Sequence, residues 1–417
     1  MDTVKQERRY EIGLVGLFFL TWGFVFLDRT SINVLFPVIA QDLNLSNFQI
    51  GQINMWTNIA YVTFAILFSF LADFTKNRKV WLVVAVLFTS ITTAISGLAS
   101  TFMILLFIRL FVGASEGPTL PLMMTLTSKA SSPGRFGRNA GIINTGVAVI
   151  SSTLGPILLT QMLNVVSWRL TFLIVSLASL VLGLILIKYI KVEQKDEGGS
   201  TSEKRAENPF KGFLEVFKYR NIIISMCISI AALTSLWMLY TYAPMYLVQV
   251  SGLEMDKMGF IMSAMGLLTI VWALLIPTIS DYLGRKRTVI LFSFLAIFPP
   301  LGLFLFPSGW IGIAMFVILG GIVGGSTPLF MNIIPVETVP DRIAATSNAV
   351  VMGAGDLIGA SIMVAIAGAL ADIYGLPIVM LVGAIGALLM AVFGFALIET
   401  KHRSASVPAE INNVSIK

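Results

Sequence analysis

Long apolar stretches constrain this chain more than any other feature of its sequence. About 20 consecutive apolar residues are enough to cross a bilayer as a helix. Stretches of this kind lie at 11–40, 48–73, 78–100, 101–129, 136–163, 166–190, 221–250, 256–281, 287–306, 309–336, 342–373 and 376–399, and they are named spans 1 to 12. The pattern predicts an all-α membrane protein with twelve transmembrane helices.

Composition and charge distribution agree with a multi-pass protein of the cell membrane. The 417 residues are 56% hydrophobic and 12% charged, whereas a soluble domain carries about 25% charged residues. All but four of the 28 lysines and arginines fall in the termini and the even-numbered loops, and the exceptions are Arg29, Arg109, Arg169 and Lys257. By the positive-inside rule both termini are cytoplasmic. The net charge of +6 therefore reflects topology, and no nucleic-acid partner is expected.

The sequence lacks the residues that several kinds of catalysis and metal binding require. Cys227 is the single cysteine, and His402, the single histidine, lies outside any apolar run. Catalysis by cysteine or histidine and most histidine metal sites are therefore disfavoured. The His-Glu-x-x-His, Gly-x-Ser-x-Gly and P-loop patterns are absent, which disfavours an intramembrane enzyme and an ATP-driven pump. We expect no cofactor and no metal.

The longest polar connection divides the chain into two six-helix bundles. We expect an N-terminal bundle at 1–190, a cytoplasmic linker at 191–220, a C-terminal bundle at 221–399 and a cytoplasmic tail at 400–417. Within the linker, Phe210, Phe213, Leu214 and Phe217 recur at helical spacing among lysines. This spacing predicts an amphipathic helix on the inner leaflet, and a disordered hinge is the alternative.

Landmarks repeat between the two halves at an offset near 207 residues, as from Pro37 to Pro244. The other matches pair Gly51 with Gly259, Asp73 with Asp281, and Pro133-Gly134-Arg135 with Pro340-Asp341-Arg342. Duplicated halves around a midplane site are typical of secondary transporters. We therefore expect two pseudo-repeated bundles around a central cavity.

The loop sequences LADFTKNRK after span 2 and SDYLGRKR after span 8 resemble those of the major facilitator superfamily. FLDRTSINVLFP in span 1, RLFVGASEGPTLP in span 4 and SWRLTF in span 6 are similar to its anion:cation symporter family. That resemblance implies import of sugar acids or other organic anions with protons. It also implies that Asp73 with Arg78, and Asp281 with Arg285, latch a cytoplasmic gate. Simple anchoring of these basic clusters at the inner membrane face is the alternative.

Five charged residues stand out in the middle of the bilayer, away from the span ends, where each costs about 2.5 to 3.5 kcal/mol on translocon scales. They are Asp28 and Arg29 in span 1, Arg109 and Glu116 in span 4, and Asp356 in span 11. A guanidinium presents a planar fork to a carboxylate, so we predict that Arg29 binds the substrate anion. We expect Arg109 to hold Glu116 or Asp28 in its ionised form.

Proton coupling is assigned to Asp28, Glu116 and Arg109. Burial favours the protonated carboxyl and a nearby arginine favours the carboxylate, so alternating access can bind a proton outside and release it inside. Sodium is not excluded, because it also binds carboxylate oxygens. A buried ion network that only holds spans 1 and 4 together is the structural alternative.

Polar and aromatic residues at similar depth are the remaining candidates for substrate binding. They are Asn58 and Tyr61 in span 2, Trp237 and Tyr240 in span 7, Ser326 and Thr327 in span 10, and Asn348 and Asp356 in span 11. The resemblance implies a substrate-contacting tyrosine at Tyr61 and a neutral amide where Asp356 stands. We expect Asp356 to be protonated, paired across the cleft or in contact with a substrate hydroxyl or amino group, and packing is the alternative.

These observations predict a monomeric secondary active transporter in the lipid bilayer. It imports a small organic anion by proton symport with alternating access. The alternative is an antiporter, either a proton-coupled drug exporter or an anion exchanger. The paired arginines favour the symporter.

Overall fold

The computed structural model describes residues 2–75, 77–190 and 209–400, and within these ranges it contains helices and no strand. Eleven of the described helices are long and apolar enough to cross a membrane. A further long helix, Asn47–Thr75, stands at span 2, and its first half carries the polar residues Gln52, Asn54 and Asn58. The predicted all-α membrane class is confirmed.

The N-terminal bundle contains spans 1 to 6. The helices run Asp2–Asp42, Asn47–Thr75, Arg78–Ser96, Phe102–Ala130, Phe136–Leu163 and Trp168–Tyr189. Three of them begin at a capping side chain, because Asn77, Thr101 and Ser167 each accept a hydrogen bond from the amide three residues later. Span 4 is interrupted at Gly117 and Pro118, where the proline has no amide to donate.

The C-terminal bundle contains spans 7 to 12. The helices run Arg220–Gln249, Met255–Leu283, Arg285–Leu305, Trp310–Thr338, Asp341–Tyr374 and Pro377–Ala396. Span 9 breaks between Leu295 and Phe298, just before Pro299 and Pro300. A short helix, Pro209–Val216, lies in the predicted linker. The rest of the predicted linker up to residue 208, and the tail from 401, lie outside the described residues.

Spans 5 and 11 share a backbone feature that their sequences do not predict. Each contains an eight-residue π-helical segment, Val147–Leu154 in span 5 and Gly355–Ile362 in span 11. The two segments begin 208 residues apart, so the internal repeat extends to the backbone conformation. Segments of this kind are frequent at functional sites, since they widen the helix and redirect side chains.

The two bundles pack together in their outer halves. One hydrophobic cluster joins outer parts of both bundles and includes Leu35 and Tyr246, whereas two further clusters each stay within one bundle. Glycines permit the close approach: a Cβ at Gly51 would lie 2.8 Å from the Val364 carbonyl oxygen, and one at Gly259 would lie 3.0 Å from that of Pro156.

The inner halves of the bundles stand apart. Among the described residues, the inner parts of spans 4 and 5 make no extensive contact with those of spans 10 and 11. The space between the bundles therefore opens toward the side that carries the basic loops.

Candidate functional site

Arg29 stands where spans 1, 2 and 4 meet, and only 7% of the residue is exposed. Its Nη1 lies 3.4 Å from Oε1 of Glu116, which is fully buried. Its Nη2 donates a hydrogen bond to Oδ1 of Asn58. The guanidinium is thus shared between a carboxylate on span 4 and an amide on span 2.

Three aromatic rings surround the same guanidinium. The Cζ atom of Arg29 lies 4.5 Å from the ring centroid of Tyr61, 5.5 Å from that of Trp237 and 5.6 Å from that of Phe26. Cations within about 6 Å of a ring centroid are attracted by its quadrupole. Trp237 belongs to span 7, so Arg29 lies at the interface between the bundles.

Two glycines of span 4 bring these groups together. A Cβ at Gly113 would lie 2.1 Å from the carbonyl oxygen of Thr57, and one at Gly117 would lie 2.3 Å from that of Tyr61. Residues four apart lie on one face of a helix. That glycine face lets span 4 approach the backbone of span 2, which places Glu116 beside the Arg29 and Asn58 side chains.

Arg109 has different partners from those predicted. It is fully buried, and its guanidinium donates to the backbone carbonyls of Asp28, at 3.2 Å, and of Arg29. No ion pair joins it to Glu116 or Asp28 in the described part of the chain. Seven residues separate Arg109 from Glu116, about 10.5 Å along a helix, so the two side chains meet different parts of span 1. Arg109 holds the backbone that carries Arg29.

Asp28 is fully buried and bonds to a residue that the sequence did not single out. Its Oδ2 accepts a hydrogen bond from the Ser179 hydroxyl of span 6, while its Oδ1 has no hydrogen-bond partner among the described residues. Oε2 of Glu116 likewise has none. Ser176 and Ser179 both stand in the apolar span 6, and nothing in the sequence shows which one faces Asp28.

Asp356 lies on the other side of the interface, in the π-helical segment of span 11. Its carboxylate forms no hydrogen bond and no ion pair with any described residue, and Arg29 is the charged group that acts on it electrostatically. Asn58 Nδ2 donates to the Ala360 carbonyl at 2.8 Å, one turn after Asp356. Asn58 therefore links Arg29 to the segment that carries Asp356.

The remaining candidates form no hydrogen bond with Arg29 among the described residues. Tyr240 lines a small cavity with Thr30 and Asn33, and its ring centroid is 6.4 Å from that of Trp237. Ser326 is fully buried and donates to the Ile322 carbonyl at 2.8 Å.

Two polar candidates of spans 10 and 11 also have partners of their own. Thr327 donates to the Val323 carbonyl at 3.1 Å, and Asn348 Nδ2 donates to Asn332 Oδ1 at 3.4 Å. Like Ser326, neither forms a hydrogen bond with the Arg29 group within the residues described. Their role in substrate binding stays a prediction.

The predicted gate residues of the second half bond within the C-terminal bundle. Arg285 Nη1 lies 2.5 Å from Asp281 Oδ1, and Nη2 lies 2.9 Å from Glu337 Oε1 of span 10. The Glu399 carboxylate accepts from the Arg285 backbone amide at 2.8 Å. Asp281 therefore pairs one turn away, and Glu337 is the partner across spans. Glu337 and Glu399 were not predicted from the sequence, since contacts between spans leave no spacing signal.

The gate residues of the first half stay a prediction. Arg78 begins span 3, but the Asp73 side chain lies outside what the structure describes.

Comparisons with known proteins identify chains that are similar to this one. The family model for the Major Facilitator Superfamily matches residues 18–357. A hexuronate transporter of Bacillus subtilis is 26% identical over 295 residues, 68% of each chain. A probable galactarate/D-glucarate transporter of the same organism is 23% identical over 306 residues, 67% of each chain.

Among solved structures, a bacterial homolog of the human lysosomal transporter Spinster, inward-facing and unoccupied, superposes with a TM-score of 0.78. The identity is 18%, and the match covers 94% of this chain and 97% of the other. That likeness concerns the fold.

Proposed function

The chain belongs to the major facilitator superfamily, whose members are secondary transporters, and we propose that it imports a small organic anion together with a proton. The anion is a sugar acid or a similar carboxylate. The names of the hexuronate and galactarate/D-glucarate transporters support this substrate class. The basic inner loops support an orientation with both termini in the cytoplasm.

The buried pair of Arg29 and Glu116 carries the proposal. An arginine held by a protein carboxylate is not free to bind a substrate carboxylate. When Glu116 binds a proton it loses its charge, and the planar fork of Arg29 becomes available to the anion. Proton and anion then occupy the site together, which is the requirement for symport.

The surroundings of Arg29 suit a compact polar anion. Asn58 can donate or accept hydrogen bonds, and the rings of Tyr61 and Trp237 can cover the apolar faces of a sugar acid. Asp28 is a second buried carboxylate for proton uptake, held by Ser179. Arg109 keeps Arg29 in place through the span 1 carbonyls, so its role is positioning.

The packing of the two bundles supports alternating access. The outer halves are closed and the inner halves stand apart, which suits release to the cytoplasm. Uptake from outside requires the outer contacts of spans 2 and 11 and of spans 5 and 8 to separate. The loaded site can then face either side while its groups stay together.

Counterflow in proteoliposomes tests the proposal. Liposomes preloaded with unlabelled sugar acid should accumulate the radiolabelled compound, and an inwardly directed pH gradient should drive uptake without preloading. Dicarboxylates and aromatic acids complete the panel, and a sodium gradient tests the other ion. If no sugar acid undergoes counterflow, or if the pH gradient has no effect, the proposal is wrong.

A further inference from the structure

The charged side chains of the membrane interior are divided unequally between the bundles. Asp28, Arg29, Arg109 and Glu116 belong to the N-terminal bundle, and their formal charges cancel. Asp356 is the only charged residue in the described interior of spans 7 to 12, away from the span ends. With all five ionised, the site carries a net charge of −1.

The position of Asp356 points it toward the cleft. Gly355 and Gly359 pack closely against span 7. A Cβ at Gly355 would lie 2.2 Å from Ser229 Oγ, and one at Gly359 would lie 2.4 Å from the Ile230 carbonyl oxygen. The Ala360 carbonyl accepts from Asn58 of span 2. Span 11 is thus held on both sides, and Asp356 stands between these contacts within the field of Arg29.

The Asp356 carboxylate has no hydrogen-bond partner among the described residues, although the other groups of the interior are engaged. Arg29 has Glu116 and Asn58, Arg109 has backbone carbonyls, and Asp28 has Ser179. Asp356 is only partly exposed, and a carboxylate that loses part of its hydration is stabilised by a donor or a cation. In the transport cycle, the substrate is the group that can supply that donor.

We infer that the carrier takes monocarboxylates with a hydroxyl or ammonium group remote from the carboxylate, and that Asp356 excludes dicarboxylates. The inference rests on the proposed function, because Arg29 must hold the substrate carboxylate. A remote hydroxyl can donate to Asp356. A second carboxylate would instead meet a like charge, and the site with its proton would carry −2 rather than −1.

D-Galactonate and galactarate form the matched pair for the test. They share one carbon skeleton and differ at a single end, where galactonate has a hydroxymethyl group and galactarate a second carboxylate. The test uses the full chain in proteoliposomes. We expect unlabelled galactonate to compete with the radiolabelled sugar acid in counterflow at a concentration at least about tenfold lower than galactarate requires. That ratio corresponds to a difference of about 1.4 kcal/mol in binding free energy. Equal competition, or preference for galactarate, overturns the inference.

The result also distinguishes this inference from the proposed function. If both acids compete equally, the carrier still transports sugar acids and only the role of Asp356 is wrong. If neither these acids nor any other sugar acid competes, the proposed substrate class itself fails. The 6-deoxy analogue of galactonate lacks the remote hydroxyl and should compete more weakly than galactonate; equal competition by the analogue contradicts the inference.

Asp356→Asn and a matched control assign the discrimination to this residue. The amide keeps the shape and removes the charge, so the galactonate-to-galactarate ratio should fall toward one, mainly through improved galactarate binding. Glu254→Gln makes the same chemical change at the outer end of span 8, where Glu254 is exposed and lies 3.3 Å from Lys257, and should keep the parent ratio. A folded Asp356→Asn protein with the parent ratio overturns the inference. If that variant does not fold, the parent protein alone tests the inference. A preference for galactonate over both galactarate and the deoxy analogue supports it, and the lack of either preference overturns it.

Discussion

Asn164 and Asp372 stand 208 residues apart at the outer ends of spans 5 and 11, and each ties its bundle to the other. Asn164 Nδ2 donates to both carboxylate oxygens of Asp256 at 3.0 Å. Asp372 accepts from the backbone amides of Asn47 at 2.7 Å and Phe48 at 3.0 Å. The internal repeat therefore closes the outer face at two related points, and each point uses one carboxylate.

Asp372→Asn should loosen the outer closure. A carboxylate that accepts from the free amides at a helix start stabilises the contact by about 1 kcal/mol. Loss of that contact should shift the equilibrium between the inward-open and outward-open forms toward the outward-open form by about fivefold. An Asn33→Cys reporter in a Cys227→Ser background measures the shift, because Asn33 is 3% exposed beneath the outer contacts. Faster labelling by a membrane-impermeant maleimide is expected. Asp42→Asn is the control, since Asp42 pairs with Arg169 inside one bundle, and equal labelling of both variants would contradict the prediction.

Alanine at Gly51 or Gly259 should also open the outer face. The added Cβ would lie 2.7 Å from the Ala365 Cα atom in one case and 2.1 Å from Thr160 Oγ1 in the other. The bundles must move apart to relieve the overlap, so labelling of the same reporter should rise. Gly16→Ala serves as the control, because no atom lies within 4 Å of its added Cβ. Unchanged labelling in both test variants would mean that the interface adapts without opening.

Glu116→Gln should separate exchange from accumulation. The amide mimics a permanently protonated carboxyl, so Arg29 stays available and counterflow continues. No proton is taken up or released at this position, so accumulation driven by a pH gradient should be lost. The two assays on one preparation test this, with Glu254→Gln as the control. Accumulation equal to the parent would remove Glu116 from the coupling.

Arg29→Lys should weaken substrate binding although the charge is kept. A lysine cannot offer two parallel donors to a carboxylate, and we expect a loss of about tenfold or more in affinity. Binding is measured by competition in counterflow. Arg169→Lys at the outer face, where Arg169 pairs with Asp42, is the matched control and should bind as the parent does. Parent-like affinity in Arg29→Lys would reassign Arg29 to structure.

The contact between the linker helix and span 11 should depend on pH. Arg342 Nη1 donates to Glu215 Oε2 at 2.9 Å, and this hydrogen bonding lowers the pKa of the Glu215 carboxyl below its usual value. The contact therefore stabilises docking above the unfolded pKa of about 4.3, and the stabilisation is lost as pH falls through the lower folded pKa. Hydrogen exchange of Pro209–Val216 should be slower in the parent than in Glu215→Gln at about pH 7, and this difference should disappear as the pH falls through the folded pKa of Glu215. A difference that persists below that pKa would contradict the prediction.

Most of the fold could be predicted because its determinants are local. Apolar length and the placement of lysine and arginine depend on the sequence near each span, so the twelve spans and two halves were predictable. The breaks were not all predictable: Pro118 marks one in span 4, whereas no residue type marks the π-helical segments. Those segments lie where spans 5 and 11 pack against the opposite bundle, and packing is a property of the assembled fold.

The candidate site divides in the same way. The sequence by itself determined which charges enter the membrane, because Asp28, Arg29, Arg109, Glu116 and Asp356 stand out in any apolar span. Only the tertiary structure decided their partners. Arg29 pairs with Glu116, while Arg109 donates to backbone carbonyls of span 1. Pairing depends on gaps of a few ångströms between helices, set by contacts such as the glycine face of span 4 on span 2, and the periodicity of a single helix does not encode those gaps.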